Sequence, residues 1–463
     1  AVIRSCKKGQ RAIFAAVEQA SFNRGHSPGS ASPVARRAHT RHDTKEDPLP
    51  PGDVDVSSQR VDTLHSLASE SMLGTYAKFE EFSDLAVAHA MPAAETDWAA
   101  LDTAVERIRD PSYSLKEFHD HMVQAFPELG LYTYKVTSSP QESGDYSDDL
   151  LTSGRTRSEE LARTFGAFYA LYWLMRLDLE GKQGFCFGYD DEWNLQPVPE
   201  SATIDELRQK KPASCSYVEK QILFYHTFPW AECEKLLASA GILPRGETSG
   251  GDGDAPQAAP TVGHDRFKTM LVLTAIHDVM KNEALCPKVR PTHSPFGNYK
   301  DGEVILDHDI ALDYILCYYG QFLPSYHGLD EASKRLVRFT QGKMGFNNGW
   351  LVQGEAPPGA LFHTFKQLIQ SGSAESEDVA FYFAHWVTDL AGAEPTPLRG
   401  SEKFVQKFPG SVLTSFFRSF PYVWQLSDLT ETQVFQNYLR AQWVQNPLLG
   451  APPTGEDAVA LMR

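Results

Sequence analysis

The residues best suited to chemistry in this sequence are a histidine and an aspartate side by side in an apolar run, Phe267-Lys-Thr-Met-Leu-Val-Leu-Thr-Ala-Ile-His-Asp-Val-Met-Lys281. A helix that is apolar on nearly every face is a buried helix. His277 and Asp278 therefore belong in or beside the core, where an ionised carboxylate is costly unless it is paired or bound to a metal. Neighbours on a helix diverge by about 100°, yet such a pair can converge on adjacent ions, the Asp bridging two while the His holds one. The chain contains five His-Asp dipeptides (His42-Asp43, His119-Asp120, His264-Asp265, His277-Asp278 and His308-Asp309), of which His277-Asp278 alone sits in a long apolar run.

Two later segments supply partners. Asp307-His308-Asp309 opens a helical pattern with Asp307 at the N-cap and His308 as the first helical residue. His385 and Asp389 stand four apart in Phe383-Ala-His-Trp-Val-Thr-Asp-Leu, so they share a helical face that stops at Gly392 and Pro395. Imidazole and carboxylate donors of this kind suit Mg, Mn, Fe or Zn, as one ion or two.

On these residues the chain resembles a known family. Ala275-Ile-His-Asp-Val-Met-Lys281 is similar to the His-Asp-Ile-Gly-Lys core of HD-domain metal-dependent phosphohydrolases, whose relatives include cyclic-nucleotide phosphodiesterases. The likeness covers roughly residues 215–395. It implies metal ligation by His277, Asp278 and a distant Asp, matched by Asp389. It also implies an upstream His, for which His226, on a helix across the insertion, and the nearer His264 both stand as candidates, and an extra His on the following helix, matched by His308. Met280 stands where the family carries Gly, and Asn282-Glu283-Ala284 replace the His-rich stretch of the phosphodiesterase branch. The implied activity is metal-dependent hydrolysis of a small phosphoester or nucleotide, with Lys281 steadying the phosphate or Asp278.

Plainer readings stand beside each residue. His277-Asp278 also reads as a buried, hydrogen-bonded polar pair, and Asp389 as a local cap. His308 reads as a helix-start residue, His385 as a packed ring or one orienting Asp389, and Lys281 as a surface lysine. Lys343, Asn347 and Asn348, in a Gly/Asn-rich stretch, read as phosphate contacts or as ordinary loop polarity. Two other functions fit the same residues: a non-catalytic binding or regulatory protein on a degenerate HD scaffold, and a di-iron oxygenase. No phosphate-binding Gly-x-x-x-x-Gly-Lys-Ser/Thr loop, dinucleotide Gly-x-Gly-x-x-Gly or Gly-x-Ser-x-Gly elbow is present.

The elements that must position these residues read as mainly α, a multi-helix bundle of HD type with a helical N-terminal region. Residues 1–60 read as a disordered basic tail, 61–155 as a helical region (Leu64 to Phe82 on one face) ending in a linker, and 156–463 as the HD-like domain with a mobile insertion at 246–263. Helices are expected at Ser158–Asp178, Ser216–His226, Ala231–Ala240, Arg266–Ala284, Asp307–Phe322, Val379–Leu390 and Val412–Trp443, and a strand or hairpin at Gly184–Tyr189. The net charge is −17, and since residues 1–41 hold eight basic residues and one acid, the remainder carries −24. Such a body repels phosphate backbones, so no nucleic-acid partner is expected. The six scattered cysteines, without a Cys-x-x-Cys pair, fit reduced thiols, and no apolar run is long enough for a membrane span. The expected location is cytoplasmic, or an organelle stroma or matrix if the basic N-terminal segment is a transit peptide.

Overall fold

Helix starts are written into this sequence as hydroxyl residues followed three positions on by Glu or Gln. Ser114 with Glu117, Thr156 with Glu159, Ser216 with Glu219 and Thr430 with Gln433 each form a reciprocal capping box. The structure, a computed structural model, describes residues 85–91, 94–135, 150–199, 204–210, 214–243, 263–342, 346, 348–353 and 357–463. Among them regular structure is helical, and β pairing is confined to isolated bridges such as Tyr189 with Leu195. The expectations for 1–60, for Leu64 to Phe82, for most of the linker and the 246–263 insertion, and for Lys343 and Asn347 fall outside the described residues.

In chain order the main helices are α1 (Trp98–Arg107), α2 (Leu115–Ala125), α3 (Arg157–Leu174), α4 (Gly181–Phe187), α5 (Tyr217–Thr227), α6 (Trp230–Ser239) and α7 (His264–Ile276). They continue with α8 (His308–Tyr318), α9 (Glu331–Gln341), α10 (Pro358–Ser371), α11 (Ser376–Ala391), α12 (Gly410–Val423) and α13 (Glu431–Val444). The apolar run read from the sequence is α7, and Phe267, Met270 to Leu273, Ala275 and Ile276 are fully enclosed. Each large side chain among them stabilises the fold by roughly 1.5–3 kcal/mol. Helices α3, α7 and α11 pack against one another, and α1 and α9 cover α7 while α6 covers α11. Thus α1, which precedes residue 156, shares a core with the helices that follow it.

The contact of α3 with α11 depends on two glycines. A Cβ built on Gly166 would stand 2.6 Å from the Gly392 carbonyl oxygen, and one on Gly392 would stand 2.1 Å from the Ala167 amide nitrogen. Backbone meets backbone there, so the middle of α3 lies against the end of α11.

Three expectations are corrected. Gly184–Tyr189 is not a strand: Gly181–Phe187 is helical, because its glycines let it press onto α3. A Cβ on Gly181 would lie 2.0 Å from the Trp173 carbonyl, and one on Gly184 2.5 Å from the Trp173 indole nitrogen. The apolar run at 266–284 ends as an α-helix at Ile276, short turns following at Val279–Lys281 and Glu283–Leu285. The run 412–443 is two helices, divided where the Lys366 ammonium donates to the carbonyls of Leu426 and Leu429 and Thr430 caps α13.

Candidate metal centre

The site exists because α7 stops where it does. The hydroxyl of Tyr132 donates to the Ala275 carbonyl at 3.2 Å, and the His277 Nδ1 donates to the Thr274 carbonyl at 2.7 Å. Both acceptors would otherwise serve the next helical turn, so the chain leaves the helix at Asp278 (φ −110°, ψ 3°). The turn is pinned by Asn282, whose Nδ2 donates to the carbonyls of Leu131 (2.8 Å) and Tyr134 (2.9 Å). The Lys281 Nζ lies 2.5 Å from the Asp278 Oδ2, three residues before it in the chain.

A carbonyl only accepts, so the bond to Thr274 fixes the proton of neutral His277 on Nδ1 and leaves Nε2 as the free donor atom. Nε2 faces two carboxylates, the Asp278 Oδ2 at 3.3 Å and the Asp389 Oδ1 at 3.4 Å. Ligand atoms of His277, Asp278 and Asp389 all lie within 4.8 Å of one another. Between two carboxylates Nε2 needs positive charge, which either a proton on the ring or a bound cation supplies. Metal bonds of about 2.1 Å at octahedral to tetrahedral angles place donors about 3.0–3.4 Å apart, whereas charge-assisted hydrogen bonds would draw them to about 2.7–2.9 Å. The donor set and its spacing therefore fit a divalent cation.

Without a cation, the same atoms compensate one another. Burial opposes charge on His277, but Asp278 and Asp389 outweigh it and push the imidazole pKa up to about 10. Burial likewise resists charge on Asp278, yet Lys281, His277 and Arg163 hold its carboxyl well below the usual range.

The structure brings together His277, Asp278, Lys281 and Asp389. His308 joins them at the rim: the first residue of α8, capped by Asp307, it holds its Nε2 3.9 Å from the Asp278 Oδ1 and 3.4 Å from the Asp309 Oδ1. His385 stacks edge to face on His277, ring centroids 5.1 Å apart, so it packs against that imidazole. His226 does not take part. It is exposed near the end of α5, its ring edge-on to Tyr225, because α5 packs on α4 and the 403–407 turn and not on α7. Asn348 is buried and shares a hydrogen bond with Ser419, so it is a packing residue and not a loop contact to phosphate.

In place of an upstream His, α3 contributes a buried ion pair. The Glu160 Oε2 accepts from the Arg163 Nη1 at 2.6 Å and lies 3.7 Å from the Lys281 Nζ. Arg163 also donates through Nε to the Ala393 carbonyl at 2.8 Å, beyond the end of α11. Burial opposes its charge, but Asp278, Glu160 and Asp389 retain it. Sequence reading missed both residues; the available signal was an opposite-charge pair three apart at the head of a helix otherwise apolar on most faces. A cleft of about 460 Å³ lined by Asp265, Arg266, Asp330 and Asp378 lies at the other end of α7, one helix length (about 20 Å) away.

No protein-family model, curated protein or solved structure matches this chain.

Proposed function

We propose that this chain is a metal-dependent hydrolase of a small phosphoester, with an HD-type site in which His277, Asp278 and Asp389 hold a divalent cation beside His308. The observation that carries the reading is the imidazole Nε2, its tautomer set by the Thr274 carbonyl, directed at two carboxylate oxygens 3.3 and 3.4 Å away. A bound divalent cation would supply Lewis acidity, lowering the pKa of water and drawing off charge from phosphoryl oxygens. His277 is held by Thr274 on one side and the His385 ring on the other, which keeps its lone pair on target. Lys281 and Arg163 balance the carboxylates and set positive charge where phosphoryl oxygens would enter.

The test is metal content by mass spectrometry on purified wild type and Asp278→Ala, with a chromogenic phosphoester assay alongside. At least one divalent ion per chain, lost in the variant together with hydrolysis, is the expected result. A metal-free wild type with intact folding would sink the proposal. That outcome would favour the second reading, a non-catalytic binding scaffold, which draws on one specific observation: the Lys281 ammonium lies 2.5 Å from Asp278, so this carboxylate already has a cation.

A further inference from the structure

Lys281 has two carboxylates within reach. Its Nζ lies 2.5 Å from the Asp278 Oδ2 and 3.7 Å from the Glu160 Oε2, and among the described residues these are its only ion pairs. A charge-assisted hydrogen bond spans about 2.7–2.9 Å, so a shift of about 1 Å carries the ammonium from the first partner to the second. Lysine suits such a shift, being a compact charge with three rotatable donors on a flexible stem.

Glu160 is built to receive it. The carboxylate is buried, at 1 % exposure. Its Oε2 accepts from the Arg163 Nη1 at 2.6 Å, and Arg163 donates in turn to the Ala393 carbonyl, so this pair ties α3 to the chain beyond α11. That tie accounts for Oε2. It does not account for Oε1, which accepts no hydrogen bond from the described residues and lies 3.9 Å from the Arg155 Nη1. A carboxylate has about four acceptor positions, and a buried one with an oxygen lacking a donor has room for another.

Asp278 is the crowded partner. Its Oδ2 meets Lys281 and, at 3.3 Å, the His277 Nε2, while the His308 Nε2 stands 3.9 Å from Oδ1. A divalent cation held there would share one carboxylate with an ammonium of its own sign, and like charges so close in a buried site repel strongly.

We propose that Glu160 is the alternate partner of Lys281: without a divalent cation the ammonium sits on Asp278, and when a divalent cation takes Asp278 it passes to Glu160. Glu160 is then a positioning residue that sets metal affinity through Lys281 and is not itself a ligand. The inference rests on the metal-site reading above and assigns that site a resident competitor with a second place to go.

The experiment measures Mn²⁺ affinity of the full chain, by competition with a fluorescent indicator, in wild type, Glu160→Gln, Lys281→Met and the double variant. With Lys281 present, Glu160→Gln should weaken binding about tenfold, because the ammonium then stays on Asp278. In the Lys281→Met background the same change should alter affinity by no more than about twofold, the additive effect of one lost charge. Equal losses in the two backgrounds would make Glu160 a source of field or a packing residue and overturn the exchange. Should Glu160→Gln misfold, crystals of wild type decide the matter. The Lys281 Nζ is expected on Asp278 in chelator and on Glu160 in Mn²⁺, and an ammonium still on Asp278 beside bound Mn²⁺ overturns the proposal. A wild type that takes up no Mn²⁺ overturns the metal reading and the exchange together, whereas Mn²⁺ binding with equal losses overturns the exchange alone.

Discussion

His277 shows how much a single residue owes to its backbone. One nitrogen is committed to the Thr274 carbonyl, which ends a helix and also aims the other nitrogen at Asp278 and Asp389. Lys281, in the turn that follows, competes with any cation for the Asp278 Oδ2. Lys281→Met should therefore raise divalent-metal affinity by about tenfold, equivalent to about 1.4 kcal/mol, measured by competition with a fluorescent metal indicator. Unchanged or weaker affinity would show that the ammonium does not guard the ligand. His277, Asp278, Lys281, His308 and Asp389 were legible because short spacings and an apolar context carry the signal. Glu160 and Arg163 were not, because acids and charge pairs in a first helical turn are commonplace behind a capping box such as Thr156–Glu159. His226 misled because order along the chain does not specify which helix packs on α7.

Among the elements, α3 and α11 hold the site together by their glycine contact. Gly392 has ordinary right-handed backbone angles (φ −83°, ψ 2°), so alanine there meets only a steric objection: the Ala167 nitrogen at 2.1 Å. Gly392→Ala should cost about 1–3 kcal/mol as α11 is pushed off α3, and weaken metal binding with it. Gly359→Ala, whose Cβ would meet nothing within 4 Å, is the control and should change stability by no more than about 1 kcal/mol. Urea melts of the two variants decide it; equal effects would mean the backbone approach carries no energy. Element types were legible where capping boxes and apolar periodicity agreed, as in α3 and α5. They failed at Gly184–Tyr189, where alternating small and aromatic residues imitate a strand. The glycines there serve contact with Trp173, a relation no local pattern encodes. The end of α7 was misjudged for the same reason, since Tyr132 takes the Ala275 carbonyl from 143 residues away.

At the scale of the whole molecule, the charge balance and the absence, among the described residues, of any helix long and apolar enough to cross a membrane agree with the composition. Stability should carry a pH signature from one enclosed carboxyl. Glu128 is fully buried and ties the Pro127–Thr133 turn to the helix at Pro324–His327, its Oε1 accepting from the Ser325 amide and hydroxyl, both at 2.7 Å. Burial raises its pKa above the usual carboxylate value, and the two Ser325 hydrogen bonds only partly offset that. A carboxyl with a raised pKa in the folded state contributes fully below its unfolded pKa, near 4.5, and loses that contribution as pH rises through the folded value. Glu128→Gln keeps an acceptor for Ser325 and removes the titration. The variant should match wild type near pH 4.5 and exceed it by about 1–2 kcal/mol at pH 8, read from urea melts at both values. A difference that does not change with pH would place the contribution of Glu128 in packing instead of charge.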